Sequence, residues 1–215
     1  RVAALNPDAP IYVPADEHFG GMTPPAFFAN PDPSLPSHMR YFDGAVPERV
    51  PHGTPWKGAN LVAVGGELEI APGVVLVANL SPGPLFTETP EISLVLETEA
   101  GRILLAGCSH PGIERILESA SARTRPVRLL VGGLHLVTTP RAEVARLAEA
   151  LRDAWKLGGI APGHCTGEHA FAELRKTFGD RYVYAGVGSV IEVAAPAGAE
   201  RNPAAAALLR RGARE

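Results

Sequence analysis

The sequence predicts a layered domain of mixed α/β (α+β) class, and three observations support this. Short β-prone runs separated by Gly and Pro fill the first half of the chain, as in β-hairpins. From about residue 101 the pattern changes to apolar strands that alternate with amphipathic helices. With 215 residues and 46% hydrophobic content, the chain is long enough to bury one core. We therefore expect one domain over residues 1–215, with a frayed tail at 200–215.

The front half combines predicted strands with a proline-rich segment. A β-prone run at residues 11–13 ends in PADEHFGG, and hairpins are predicted over residues 61–80 and 91–107. Eight prolines between residues 23 and 56 exclude a long helix or a central strand there. We interpret this segment as an ordered lid over a site, and a surface decoration without a role is the equal alternative.

The back half is predicted to repeat strand, helix and strand. VRLLVGG is a buried strand, and the residues from 139 to 155 form an amphipathic helix that Thr139 can cap. EHAFAELRKTFG is a further helix that ends at Gly179, and YVYAGVGSVIEV is predicted to be a final pair of strands.

Three histidines occupy equivalent places in this pattern. His110, His135 and His164 each follow a predicted strand and precede a loop or helix, with glycines nearby. Open α/β sheets place their sites at the carboxyl ends of strands, and imidazole is the commonest metal ligand. One such histidine alone is more often a core or surface residue, but three in equivalent positions predict a zinc-type metal centre.

Four motifs carry a resemblance to a known family. The chain resembles the second half of a metallo-β-lactamase-fold hydrolase in the motifs GCSHPGIERIL, GGLHL, GHCTGEHAFAEL and VGSVIEV. Within that family the resemblance is strongest to the dihydropterin ribofuranosyl-aminobenzene-phosphate synthase-like branch. The similarity runs from about PADEHFGG to IEV. It implies an αβ/βα four-layer sandwich with a dinuclear metal site at one edge. It also implies that His110 and His164 are metal ligands.

The sequence departs from the family pattern at two places. His135 stands where many members carry a bridging aspartate, so the resemblance does not predict a bridging ligand there. The family's His-x-His-x-Asp-His cluster is absent from the sequence. We expect the chain to be the carboxyl-terminal part of such a domain, without its amino-terminal strands and first metal loop. A true loss of the cluster is the alternative.

The predicted activity is hydrolysis of an ester, phosphoester or related small molecule by a metal-activated water. The expected cofactor is one or two divalent ions, zinc first, with iron or manganese as alternatives. His135 is predicted to act both as a ligand and in catalysis. Glu17, His18 and Arg40 are the candidates for substrate binding. Because carboxylates are sparse beside the histidines, Ser109, Thr166 or backbone carbonyls are expected to support the imidazoles.

Other functions are excluded or kept as alternatives. A net charge of −3 without a basic run gives no case for nucleic acid, and no apolar stretch has the length of a membrane span. A small-molecule substrate is the expected partner, while oligomeric state and compartment are not predicted. One alternative is a non-catalytic relative that binds a small ligand or partner, and another is a thiol-dependent transferase using Cys165. Cys108 and Cys165 either form one disulfide, share the site or pack beneath it. His169 is expected at the surface.

Overall fold

A computed structural model describes residues 5–15, 32–47, 59–79, 90–122 and 124–193. The chain divides into two compact units, residues 1–63 and 64–215. Glu17, His18 and the predicted tail at 200–215 lie outside the described residues, as does the side chain of His164. The prediction of one domain over the whole chain stays a prediction.

The amino-terminal unit contains a small sheet and a proline-rich connection. Strand β1 (Pro10–Pro14) pairs with strand β2 (Asn60–Val64) in a two-stranded sheet. The described part of the connection, residues 32–47, forms only two 3-10 turns, Ser37–Met39 and Tyr41–Gly44. This agrees with the prolines, since proline lacks the N–H that a helix interior or a central strand needs.

The second unit is built on a six-stranded sheet in the order β3-β4-β5-β6-β7-β8. The strands are β3 (Glu67–Ala71), β4 (Val74–Asn79), β5 (Glu91–Thr98), β6 (Gly101–Ala106), β7 (Val127–Gly133) and β8 (Ile160–Gly163). β3 to β6 form an antiparallel meander, whereas β6, β7 and β8 run parallel. The predicted hairpin over residues 91–107 and the predicted VRLLVGG strand are confirmed. Within residues 61–80 only β3 and β4 form a hairpin, because β2 pairs with β1 instead. The parallel strands bring their carboxyl ends to one edge of the sheet.

A helix follows each of the three parallel strands. Helix α1 (Ile113–Ser119) follows β6, α2 (Arg141–Asp153) joins β7 to β8, and α3 (Glu168–Phe178) follows β8. Their inner faces share one hydrophobic core with the sheet, and its fully buried members include Val95, Leu104, Ile116, Leu151 and Leu174. Each such side chain contributes about 1.5–3 kcal/mol by leaving water. No helix among the described residues is long and apolar enough to cross a membrane.

Two local predictions are wrong. Helix α2 begins one residue later than expected, with Pro140 at its N-cap position and no side-chain cap. Thr139 is then too far from the first free N–H groups to cap them. The expected strands at 182–193 are absent, and only Tyr182 makes a single bridge, to Ile160. The free edge of β8 is therefore paired at this one bridge, and Gly188, with a φ of 83°, turns the chain further on.

Candidate metal centre

The histidine motifs meet at the carboxyl edge of the parallel strands. His110 follows β6, His135 follows β7, and His164 comes directly after β8 in a 3-10 turn. The ring centroids of His110 and His135 lie 4.5 Å apart, at an interplanar angle of 61°. The His110 side chain is 32% exposed, and His135 is exposed. The structure therefore brings two of the three histidine side chains together on a surface that a small molecule can reach.

The two loops that carry these rings have unusual backbone geometry. Ser109 has a φ of 63° and His135 a φ of 52°, both in the left-handed region. This conformation costs roughly 1–2 kcal/mol for a residue other than glycine. Such strain persists only when surrounding contacts fix it, and it is concentrated at functional sites. The orientation of His110 and His135 is therefore set by contacts around these loops.

Two buried hydroxyl groups connect the three histidine loops. Ser109 Oγ donates to the carbonyl of Gly133, 2.6 Å away, and so joins the first loop to the second. Thr166 Oγ1 accepts from the Leu134 N–H at 3.2 Å and donates to the Gly163 carbonyl at 2.7 Å. These bonds join the second loop to the third. The two hydroxyls therefore bind backbone groups, and the expectation that they accept from imidazole is not met in the described side chains.

A carboxylate that the sequence analysis missed holds His110. Glu91, the first residue of β5, lies with Oε1 2.5 Å from His110 Nδ1. Its other oxygen, Oε2, accepts from the Ser109 N–H at 2.9 Å. The hairpin register could have revealed it. β5 and β6 pair Leu94 with Leu105, and three further steps place residue 91 opposite residue 108.

The two cysteines lie side by side as free thiols. Cys165 Sγ donates to the Cys108 carbonyl at 3.4 Å. Burial raises the pKa of the Cys108 thiol, and the neighbouring Cys165 and Glu91 raise it further. The disulfide is thus not formed, and Cys108 favours the protonated form, which is a poor nucleophile and a poor metal ligand.

Glycines allow these loops to approach closely. A Cβ atom placed on Gly133 would lie 2.7 Å from the Gly107 carbonyl oxygen and 2.8 Å from Cys165 Sγ. Gly133 also donates a backbone hydrogen bond to Gly107, 2.8 Å away. Any side chain at this position would push the loops apart. The close packing of the loops therefore requires glycine at residue 133 in the VGGLHL motif.

Three groups that can bind a metal lie close together, and the imidazole of His110 is the one best suited to a divalent ion. The ligand atoms of Glu91, Cys108 and His110 lie within 4.8 Å of one another. Two ligand atoms on one tetrahedral zinc ion are about 3.3 Å apart, given bonds of about 2.0–2.1 Å. The Glu91–His110 separation of 2.5 Å is shorter, which is the distance of a hydrogen bond and not of two atoms bound to one ion. With the proton on Nδ1, the lone pair of His110 is on Nε2, which is the form that a metal needs.

The other residues singled out in the sequence lie in the amino-terminal unit, in helix α3 or outside the described residues. Arg40 is half-buried in the amino-terminal unit, and Glu17 and His18 lie outside the described residues. His169 is half-buried rather than at the surface, because its Nε2 bonds the Thr139 carbonyl at 2.9 Å. This bond connects α3 to the start of α2 and gives His169 a structural role.

Sequence comparison finds relatives over part of the chain. No family model matches it. A 7,8-dihydropterin-6-methyl-4-(beta-D-ribofuranosyl)-aminobenzene-5'-phosphate synthase from Methanocaldococcus jannaschii is 32% identical over 106 residues, 47% of this chain and 35% of that protein. An uncharacterised protein of the same organism is 32% identical over 93 residues, 42% of this chain and 34% of its own length. The matches thus span about a third of each relative.

Structure comparison gives a consistent result. The crystal structure of a metal-dependent hydrolase of the β-lactamase superfamily aligns with a TM-score of 0.56 and 25% identity, over 67% of this chain and 64% of that one. The predicted mixed α/β fold of metallo-β-lactamase type is confirmed. In fold this chain is similar to metal-dependent hydrolases of the β-lactamase superfamily, and in sequence it resembles the dihydropterin ribofuranosyl-aminobenzene-phosphate synthase branch.

Proposed function

We propose that this chain serves metal-dependent hydrolysis of an ester, a phosphoester or a related small molecule. The observation that carries the proposal is the 4.5 Å approach of the His110 and His135 rings at the carboxyl edge of parallel strands. Two imidazoles that converge from separate strand ends suit a shared ion, and open α/β sheets place ligands at this edge. The fold match to a metal-dependent hydrolase supports the same reading.

His110, His135 and His164 would hold the ion through imidazole nitrogens. Three neutral imidazoles suit zinc, and iron or manganese is the alternative where carboxylates join them. When bound, a divalent ion supplies a water of lowered pKa and polarises the oxygen of the bond to be broken. His135 would be the catalytic histidine in this proposal because its ring is exposed and so open to a substrate.

The residues proposed to bind the substrate are chosen for the chemistry of their side chains. Arg40, His18 and Glu17 remain the candidates for substrate binding, and Arg40 offers a fixed positive charge suited to a phosphate or carboxylate. The M. jannaschii relative is named as a synthase of a pterin-linked aminobenzene phosphate. This name justifies testing pterin-linked phosphates beside simple esters, because one fold serves many substrates.

The test compares metal content and hydrolysis in histidine variants. We expect the purified chain to take up zinc, and His110→Ala or His135→Ala to lose it, whereas the exposed His38→Ala retains it. Hydrolysis of p-nitrophenyl esters and phosphates should follow the zinc content and stop with a chelator.

Two outcomes contradict the proposal. Zinc uptake without hydrolysis of any ester or phosphoester favours the binding module. Activity that survives a chelator but not a thiol alkylator favours the transferase using Cys165.

A further inference from the structure

We propose that Glu91 is the positioning residue that fixes the tautomer and the ring orientation of His110. The inference rests on the proposed metal site, but it concerns a residue to which that proposal gives no role. Glu91 contacts His110 directly, with Oε1 2.5 Å from Nδ1. Its side chain is 13% exposed, so water competes only weakly for the carboxylate.

The carboxylate binds two neighbouring donors of the same loop. Oε2 accepts from the Ser109 N–H, while Oε1 meets the imidazole. Ser109 has left-handed backbone geometry, so this loop needs contacts that hold it. Glu91 therefore fixes both the backbone that carries His110 and the plane of its ring. A helix or strand that only packed against the ring would do neither.

The chemistry of the pair decides which nitrogen is free. An ionised carboxylate only accepts hydrogen bonds, so Nδ1 must carry the proton that lies between the two groups. Nε2 then keeps its lone pair and is the nitrogen that can bind a metal. A carboxylate in this position also holds the ring of a metal-binding histidine in a fixed orientation. Loss of such a partner typically lowers metal affinity by about 10–100-fold.

Replacement by glutamine tests the pair because glutamine keeps the shape but offers one acceptor oxygen. Both the Ser109 N–H and the His110 Nδ1–H need an acceptor, so Glu91→Gln leaves one of them facing an amide NH₂ group. His110 can escape this clash by moving its proton to Nε2. Glu91→Ala removes both acceptors. We therefore expect partial loss of the Nδ1–H form in Glu91→Gln and a mixture of tautomers in Glu91→Ala.

The experiment has two readouts, and one does not require metal. Long-range ¹H–¹⁵N NMR on the metal-free protein reports the His110 tautomer in the wild type, Glu91→Gln, Glu91→Ala and the exposed control Glu143→Gln. Competition with a zinc indicator then gives the zinc dissociation constant of each. We expect the Nδ1–H form in the wild type and the control. We also expect zinc to bind about 10–100-fold more weakly to Glu91→Ala, with Glu91→Gln in between.

Two results would overturn the inference. One is an unchanged His110 tautomer in both Glu91 variants, and the other is unchanged zinc affinity in folded Glu91→Ala. If Glu91→Ala does not fold, Glu91→Gln decides both points. If the wild-type chain takes up no zinc, the proposed function fails, while the tautomer comparison still decides whether Glu91 orients His110.

Discussion

Replacing Gly133 with alanine should open the histidine edge. The new methyl group would lie 2.7 Å from the Gly107 carbonyl oxygen, 2.8 Å from Cys165 Sγ and 3.3 Å from the Cys108 Cα atom. The first and third contacts are to backbone, so they cannot be relieved by a side-chain rotation. Overpacking of this kind costs about 1–3 kcal/mol. For a chain of this size that lowers the melting temperature by roughly 2–12 °C.

The assay is thermal unfolding, with Gly107→Ala as the matched control. Gly107 lies in the facing loop, and a Cβ atom there would meet nothing within 4 Å. Gly107→Ala should therefore change the melting temperature little. Adding Cys165→Ala to Gly133→Ala should recover only part of the loss, because the carbonyl contact remains. If Gly133→Ala melts within about 1 °C of both the wild type and Gly107→Ala, the conclusion that these loops are too close to accept a side chain at residue 133 is refuted.

Three further predictions concern stability away from the histidines. Arg102→Met should lower the free energy of unfolding by about 3 kcal/mol in denaturant titrations, because a buried guanidinium that donates to the Ala120 carbonyl is lost. The exposed Arg146→Met should change it by less than about 0.5 kcal/mol, and equal losses would contradict this. Ser93 is 1% exposed, and its Oγ has no hydrogen-bond partner among the described residues. Ser93→Ala should therefore raise the free energy of unfolding by up to about 1 kcal/mol, and a decrease would refute this prediction. Burial raises the pKa of the Tyr182 phenol above 10.0, so the stability it contributes is present below pH 10 and is lost at higher pH. Tyr182→Phe should therefore lose less stability in alkaline unfolding, and an unchanged pH profile would contradict this.

The order of strands and helices in the second unit could be predicted because local pattern and burial agree there. The run from Ile103 to Ala106 is apolar and ends at a Gly, and it forms β6 as expected. The failure at 182–193 has the opposite cause. Its β-prone residues Tyr184, Val187 and Val190 are exposed, and the segment pairs with the edge strand β8 only at Tyr182. Pairing of this kind is not encoded in a single segment.

The histidine edge could be predicted in outline but not in its contacts. Parallel strands necessarily bring their carboxyl ends together, so strand-end positions were enough to place His110 beside His135. The partner of His110 was missed because Glu91 is 19 residues away in sequence and reaches the loop only through the β5–β6 register. His169 was misplaced for a similar reason, since its bond to Thr139 crosses between two helices.

The most direct test of the central claim is X-ray absorption at the zinc edge of the zinc-loaded chain. Histidine nitrogens scatter at about 2.0–2.1 Å from zinc and a thiolate sulfur at about 2.3 Å. We expect imidazole ligands in the wild type, and one imidazole fewer in His135→Ala. A sulfur ligand, with His135→Ala unchanged, would show that zinc binds the Glu91–Cys108–His110 group instead, and would contradict the assignment of His135 to the metal.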